Sequence, residues 1–151
     1  MILIPELYQY TAEIKAAIPS IKTSHLLLNE AEVTKYLGGM KKTDNQLMLV
    51  IIPDARTKAK DEDSIVMNNA MGFFFLEKTE YSSSQQAEWI AIFSRTQATA
   101  LEFIRKLIYD KTWGSCGFNK DLDVNNISIE PVTGLASCNG WTVEVYFDTP
   151  F

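Results

Sequence analysis

Leu3, Leu7, Tyr10, Ile14 and Ile18 recur at helical spacing, while Glu6, Gln9 and Glu13 fall on the other side. That pattern predicts an amphipathic first helix, with Pro5 suited to its first turn and Pro19 stopping it. Ile21 to Leu28 reads as a strand, and Asn29 to Leu37 as a short helix ended by Gly38 and Gly39. Lys41 to Asn45 is a polar turn. Leu47 to Ile52 is apolar on both faces, which predicts a central strand covered on both sides. After Pro53, the stretch from Asp54 to Ser64 is charged and has no period, so it reads as a mobile loop. Asn69 to Tyr81 carries Phe73, Phe74 and Phe75 in a row, which suits a strand with both faces occupied, and Ser82 to Ser84 makes the next turn.

The last third carries the sharpest alternation. Trp141, Val143, Val145 and Phe147 point one way, and Thr142, Glu144, Tyr146 and Asp148 the other, as in a half-buried strand. A core strand at the end of the sequence predicts a complete domain with no catalytic tail after it. Ser94-Arg95-Thr96-Gln97 has the spacing of a capping box. It predicts a helix from Ser94 to Asp110, with Leu101, Ile104 and Ile108, joined by Ala100 and Leu107, as its buried stripe. Trp89 to Phe93 then becomes a strand; one helix from Gln85 to Asp110 is the alternative. Trp113 to Gly117 forms a loop, and Val124 to Glu130 the penultimate strand. The resulting order is helix, four strands, helix, two strands. It predicts a single α+β domain over residues 1–151, in which two helices pack on one face of a mainly antiparallel, ferredoxin-like sheet.

Composition narrows the partners rather than the fold. The chain has 151 residues and a net charge of −5, which disfavours a nucleic-acid backbone or an anionic membrane as main partner. The N-terminus lacks a basic region followed by a long apolar run, and no stretch approaches a membrane span, so the reading is a cytoplasmic protein. Cys116 and Cys138 sit in Gly/Ser-rich turns and read as reduced thiols, although a disulfide between them is geometrically conceivable.

Candidate chemistry is thin. A cysteine nucleophile at Cys116 needs a base, and His25 is the sole histidine. Asp121-Leu122-Asp123-Val124-Asn125 opens like a calcium loop, but Asn126 stands where Gly is needed and Val132 where a bidentate Glu is needed. It reads as a polar turn. Asp61, Glu62 and Asp63 offer oxygen ligands without completing a set, beside Lys58 and Lys60 that neutralise them. One His and two Cys make a zinc site improbable. Gly38 to Thr43 lacks the phosphate-loop spacing, and Asn126-Ile127-Ser128 is a glycosylation sequon by pattern alone. The aromatic residues Phe73, Phe74, Phe75, Trp89 and Trp141 lie among Glu77, Glu88 and Glu144. That setting favours core packing or a protein interface over base stacking. The residue pattern therefore predicts no enzyme, cofactor or metal, and an uncovered apolar sheet surface that becomes a subunit interface.

The element order, with a long strand leaving a mobile loop, a helix after a hairpin and a final strand at the terminus, resembles phage tail terminator and tail-completion proteins. The Arg95-Thr96-Gln97 helix entry also resembles small prophage-encoded proteins of Bacteroides-type genomes. So do Ile127 to Pro131 and Asn139-Gly140-Trp141. The likeness is best over Phe73 to Phe151. It implies a tail-terminator-like fold and a non-enzymatic structural protein that self-assembles into a ring, commonly a hexamer. Such a ring caps the tail tube and meets other tail or head-connector proteins, in the cytoplasm or the virion. The implied interaction residues are Arg56, Lys58, Lys60, Asp61, Glu62 and Asp63 on the loop, and Phe73, Phe74 and Phe75 on the sheet. A binding module for a peptide or small ligand on the open sheet is the second expectation.

Overall fold

The computed structural model describes residues 1–59, 63–80, 85–114 and 117–150. Its elements are α1 (Ile4–Ala17), β1 (Thr23–Leu27), α2 (Glu30–Gly39), β2 (Leu47–Ile51), β3 (Asp54–Ala59), β4 (Ile65–Lys78), α3 (Gln86–Trp113), β5 (Ser128–Leu135) and β6 (Cys138–Pro150). The fold is α+β. One mostly antiparallel sheet runs in the order β1-β2-β4-β6-β5, with β3 also paired to β4; among the described residues only β1 and β2 pair in parallel.

α1 buries Leu7, Tyr10 and Ile14 of the predicted stripe together with Thr11, and carries Pro5 in its first turn. Ile18 is buried just past its end, whereas Leu3, placed on the same stripe, precedes the helix and is exposed. At α2, Asn29 caps the N-terminus by accepting from the Glu32 backbone N–H at 3.1 Å, and the Glu32 carboxylate accepts from the Leu28 N–H at 2.9 Å. Two otherwise orphaned donors are thus satisfied. Gly38 and Gly39 lie inside the last turn of α2, and the residue that ends it is Met40 at φ −70°. The helix therefore closes without a left-handed glycine.

The predicted loop at Asp54 to Ser64 is corrected by β3. Asp54 to Ala59 pairs antiparallel with Ala70 back to Ile65. β2 and β3 thus follow each other along one edge of the 14-residue β4, interrupted at Ile52 and Pro53. β3 escapes a periodicity argument because it is nearly all exposed: its pairing comes from main-chain bonds, not from a buried side-chain face. Lys60, Asp61 and Glu62 lie outside the described residues, as does the predicted turn at Ser82 to Ser84.

The second correction concerns Trp89 to Phe93, which is helical. α3 is one helix of 28 residues, the alternative reading, and Ser94 caps nothing. Its buried positions Ile92, Thr96, Thr99, Ala100, Phe103, Leu107 and Asp110 form one continuous stripe. Leu101 and Ile108 face outward, 39% and 44% exposed. The threonines that break the hydrophobic pattern are accommodated by bonding back along the helix, Thr96 to Ile92 O at 2.7 Å and Thr99 to Arg95 O at 3.2 Å. β5 also starts later than the pattern suggests: residues 124–126 form a turn, and Cys138 opens β6 instead of sitting in a turn.

Two clusters lie on opposite faces of the sheet. On the first, Met48, Val50, Phe73, Phe75, Val143 and Val145 pack with Leu7, Tyr10 and Ile14 of α1 and Ala100, Phe103 and Leu107 of α3. The Phe103 ring lies 4.5 Å from Phe73 and 5.1 Å from Phe75. On the second, Val33 and Leu37 of α2 pack with Leu47, Leu49, Leu76 and Cys138. α2, where the sequence reads a short helix at Asn29 to Leu37, packs in the second cluster, on the face opposite α1 and α3.

Candidate functional site

α2 covers only one end of its sheet face, where Val33 and Leu37 pack over Leu47 and Leu49 of β2, Leu76 of β4 and Cys138 of β6. Farther along, even-numbered residues of β4 and β6 stay open, because they alternate with the buried Met71, Phe73, Val143 and Val145. Ala70, Gly72, Phe74, Thr142 and Glu144 make the floor of a trough of about 470 Å³. Ser128 and Glu130 of β5 border it on one side, and Ile51, Ile52, Asp54 and the Leu28-Asn29 junction on the other. Gly72 and Ala70 keep the floor low. A Cβ added at Gly72 would meet only the Phe74 ring, at 3.6 Å.

Three carboxylates, Asp54, Glu130 and Glu144, line this trough, and none of them forms an ion pair among the described residues. Beyond it, β3, the start of β4 and the end of β6 continue as a three-stranded arm. Arg56 and Lys58 lie exposed on the arm, and Lys58 approaches Asp148 at 3.4 Å while Asn68 donates to the same carboxylate at 2.7 Å. Asp63 is exposed.

The predicted interaction residues therefore fall in different places. Arg56 and Lys58 share the arm, and Phe74 is half-buried beside the trough. Phe73 and Phe75 are fully buried against α3 and have no surface to offer a partner.

His25 stacks on Tyr36, ring centres 4.3 Å apart; burial and then the nearby Lys15 charge hold its pKa below the usual histidine value. Cys116, its supposed nucleophile, lies outside the described residues. Cys138 is a buried free thiol, raised above its ordinary pKa by burial, with Lys78 opposing. At the calcium-like pattern the Lys111 ammonium donates to the carbonyls of Lys120 and Leu122, at 2.8 Å each. A lysine thus occupies the carbonyls of that turn, and the Asp123 carboxylate accepts from the Asn125 N–H at 3.1 Å. Among the described residues no group of three His, Cys, Asp or Glu is placed to hold a metal. Trp141 donates its indole N–H to Phe93 O at 2.9 Å, which ties β6 to α3.

A buried polar knot lies beyond what spacing reveals. The Glu77 carboxylate accepts from Arg95 at 2.7 Å and 3.2 Å and from Gln46 at 3.0 Å; Thr99 donates to the Gln46 carbonyl at 2.5 Å. These residues are far apart in the chain, so only tertiary structure joins them. The knot is internal architecture and fastens α3 to the sheet. No protein-family model matches the sequence, and no curated protein matches it either.

Proposed function

We propose that this protein is a non-enzymatic structural component that works by self-assembly, with the open part of the second sheet face as its subunit contact. The observation that carries this reading is the trough over Ala70, Gly72 and Phe74, left uncovered by α2 and continued by the β3–β4 arm. A sheet face of this kind gains by burial about 25 cal/mol per Å² of apolar area, before the costs of association. The tail-terminator-like assignment made from element order extends the proposal. The assembled form is then a ring, commonly hexameric, that meets other tail or head-connector proteins. Its place is the cytoplasm before assembly and the virion after it.

Light scattering on a size-exclusion column, run over a concentration series, tests the reading. The expected result is a ring-sized species, or a monomer that shifts toward one on concentration. Gly72→Arg should abolish that species and leave the melting temperature nearly unchanged, because a Cβ there makes only an ordinary contact with the Phe74 ring, at 3.6 Å, on the floor of the trough. Phe74→Asp should abolish it too, with some loss of stability, since Phe74 also packs beside α2. A strict monomer at high concentration overturns the assembly reading. It would favour the second one, a small binding module whose trough falls in the size range of ligand pockets and whose carboxylates select a cationic ligand.

A further inference from the structure

The groove between α1 and the outer edge of β1 is independent of the trough and of the assembly reading. It has a volume of about 740 Å³ and is lined by Tyr8, Ala12, Lys15 and Ala16 of α1 and by Ser24 to Leu26 of β1. Among the described residues β1 pairs only with β2. Its inward groups are spent there: the Thr23 N–H reaches Gln46 O at 3.3 Å, and Leu27 O accepts from the Ile52 N–H at 2.9 Å. By alternation, the N–H and C=O of Ser24 and Leu26 point away from β2 into the groove. No group among the described residues bonds them on that side. The edge therefore presents two donors and two acceptors in strand geometry.

The other edges are blunted. β5 carries Glu130 and Pro131, which has no N–H to offer, and β3 carries Asp54, Arg56 and Lys58. The Thr-Ser-His-Leu-Leu run of β1 has no proline and no acidic or basic side chain apart from His25. Beside it, Ala12 and Ala16 sit one helical turn apart and exposed, which leaves space for a side chain. Lys15 is the one lysine, arginine or carboxylate residue of the lining, and it is in no ion pair among the described residues. A second copy laid along the same edge would bring its own Lys15 toward this one, which like-charge repulsion disfavours.

We propose that this groove docks an extended, acidic segment of a partner protein, which adds to the sheet as a strand along β1. Main-chain bonds to Ser24 and Leu26 would supply affinity. Alternate side chains would settle over Ala12 and Ala16, and a carboxylate at Lys15 would set preference.

The test is amide hydrogen exchange by NMR on the full chain, titrated with two eight-residue peptides, one alternating valine and glutamate and the other valine and lysine. Ser24 and Leu26 amides should exchange freely in the unbound protein. They should slow by about tenfold or more when the valine–glutamate peptide saturates, and stay fast with valine–lysine. Lys15→Glu should weaken the acidic peptide by at least about fivefold. Ala16→Phe, which fills the groove, should abolish binding; both positions are exposed, and an unchanged thermal melt would show the fold intact. The proposal is overturned if the acidic peptide leaves both amides unprotected, if both peptides protect equally, or if neither variant alters binding. Protection that appears without peptide and grows with protein concentration would also overturn it, because the occupant would then be a second copy. Ring formation is read separately by light scattering, so failure here leaves the assembly reading standing.

Discussion

Gly140 is the residue with the least freedom. Its φ is 157°, and a Cβ built there collides with the Phe75 carbonyl oxygen of the neighbouring strand. Gly140→Ala should therefore cost about 3 kcal/mol or more, by combining backbone strain with a forced displacement of β4; urea unfolding checks it. Glu77 is the counterpart in charge. Its side chain is only 6% exposed and depends on Arg95, itself 54% exposed, for two of its bonds. Arg95→Ala should cost about 2 kcal/mol, the range for hydrogen bonds to a charged group, and the double variant with Glu77→Leu should cost less than the sum of the single ones. For Cys138, burial raises the folded pKa above the unfolded one. The folded state thus holds its proton longer. Its stability advantage is full below the ordinary thiol range and falls as pH rises through and beyond it. The urea midpoint of the wild type should drop from about pH 8 to about pH 10, and Cys138→Ala should lose that part of the slope. None of these three environments is legible in sequence, because each partner comes from a different strand or helix.

At the element scale, α3 and β3 show how local signals compete with packing. A capping box at Ser94 is a genuine motif, but Ile92 and Thr96 continue the buried stripe across it. Burial of one uninterrupted face outweighs a cap worth about 1 kcal/mol. Ser94→Ala should accordingly change stability by less than about 0.5 kcal/mol, while Ser94→Pro, in the helix interior, should cost about 3 kcal/mol or more. Thermal unfolding with circular dichroism separates this from a capping role, in which the alanine variant would lose about 1 kcal/mol. β3 is the reverse case: a segment with no periodicity becomes a strand because β4 runs on past β2 and offers unpaired main-chain groups. By contrast α1, β2, β4 and β6 were readable within a few residues, since each buries a face whose period appears in the chain.

Across the whole molecule, net charge bears on partners and topology on surfaces. With a net charge of −5, the protein should show no change in the anisotropy of a labelled DNA duplex at about 0.15 M salt, where binding needs a positive face to release counterions. Binding under those conditions would contradict the protein-contact reading of both surfaces. Among the described residues no helix is long and apolar enough to cross a membrane. The α+β class, the first helix, the buried central strand and the final alternating strand follow from the sequence alone, because hydrophobic spacing is written locally. Which half of the second sheet face stays open, where Phe73 and Phe75 part company with Phe74, and which edge keeps its main-chain groups free were decided only by tertiary structure. Those depend on how far α2 reaches, how long β4 runs and which strands pair, and all three are set by contacts between residues distant in the chain.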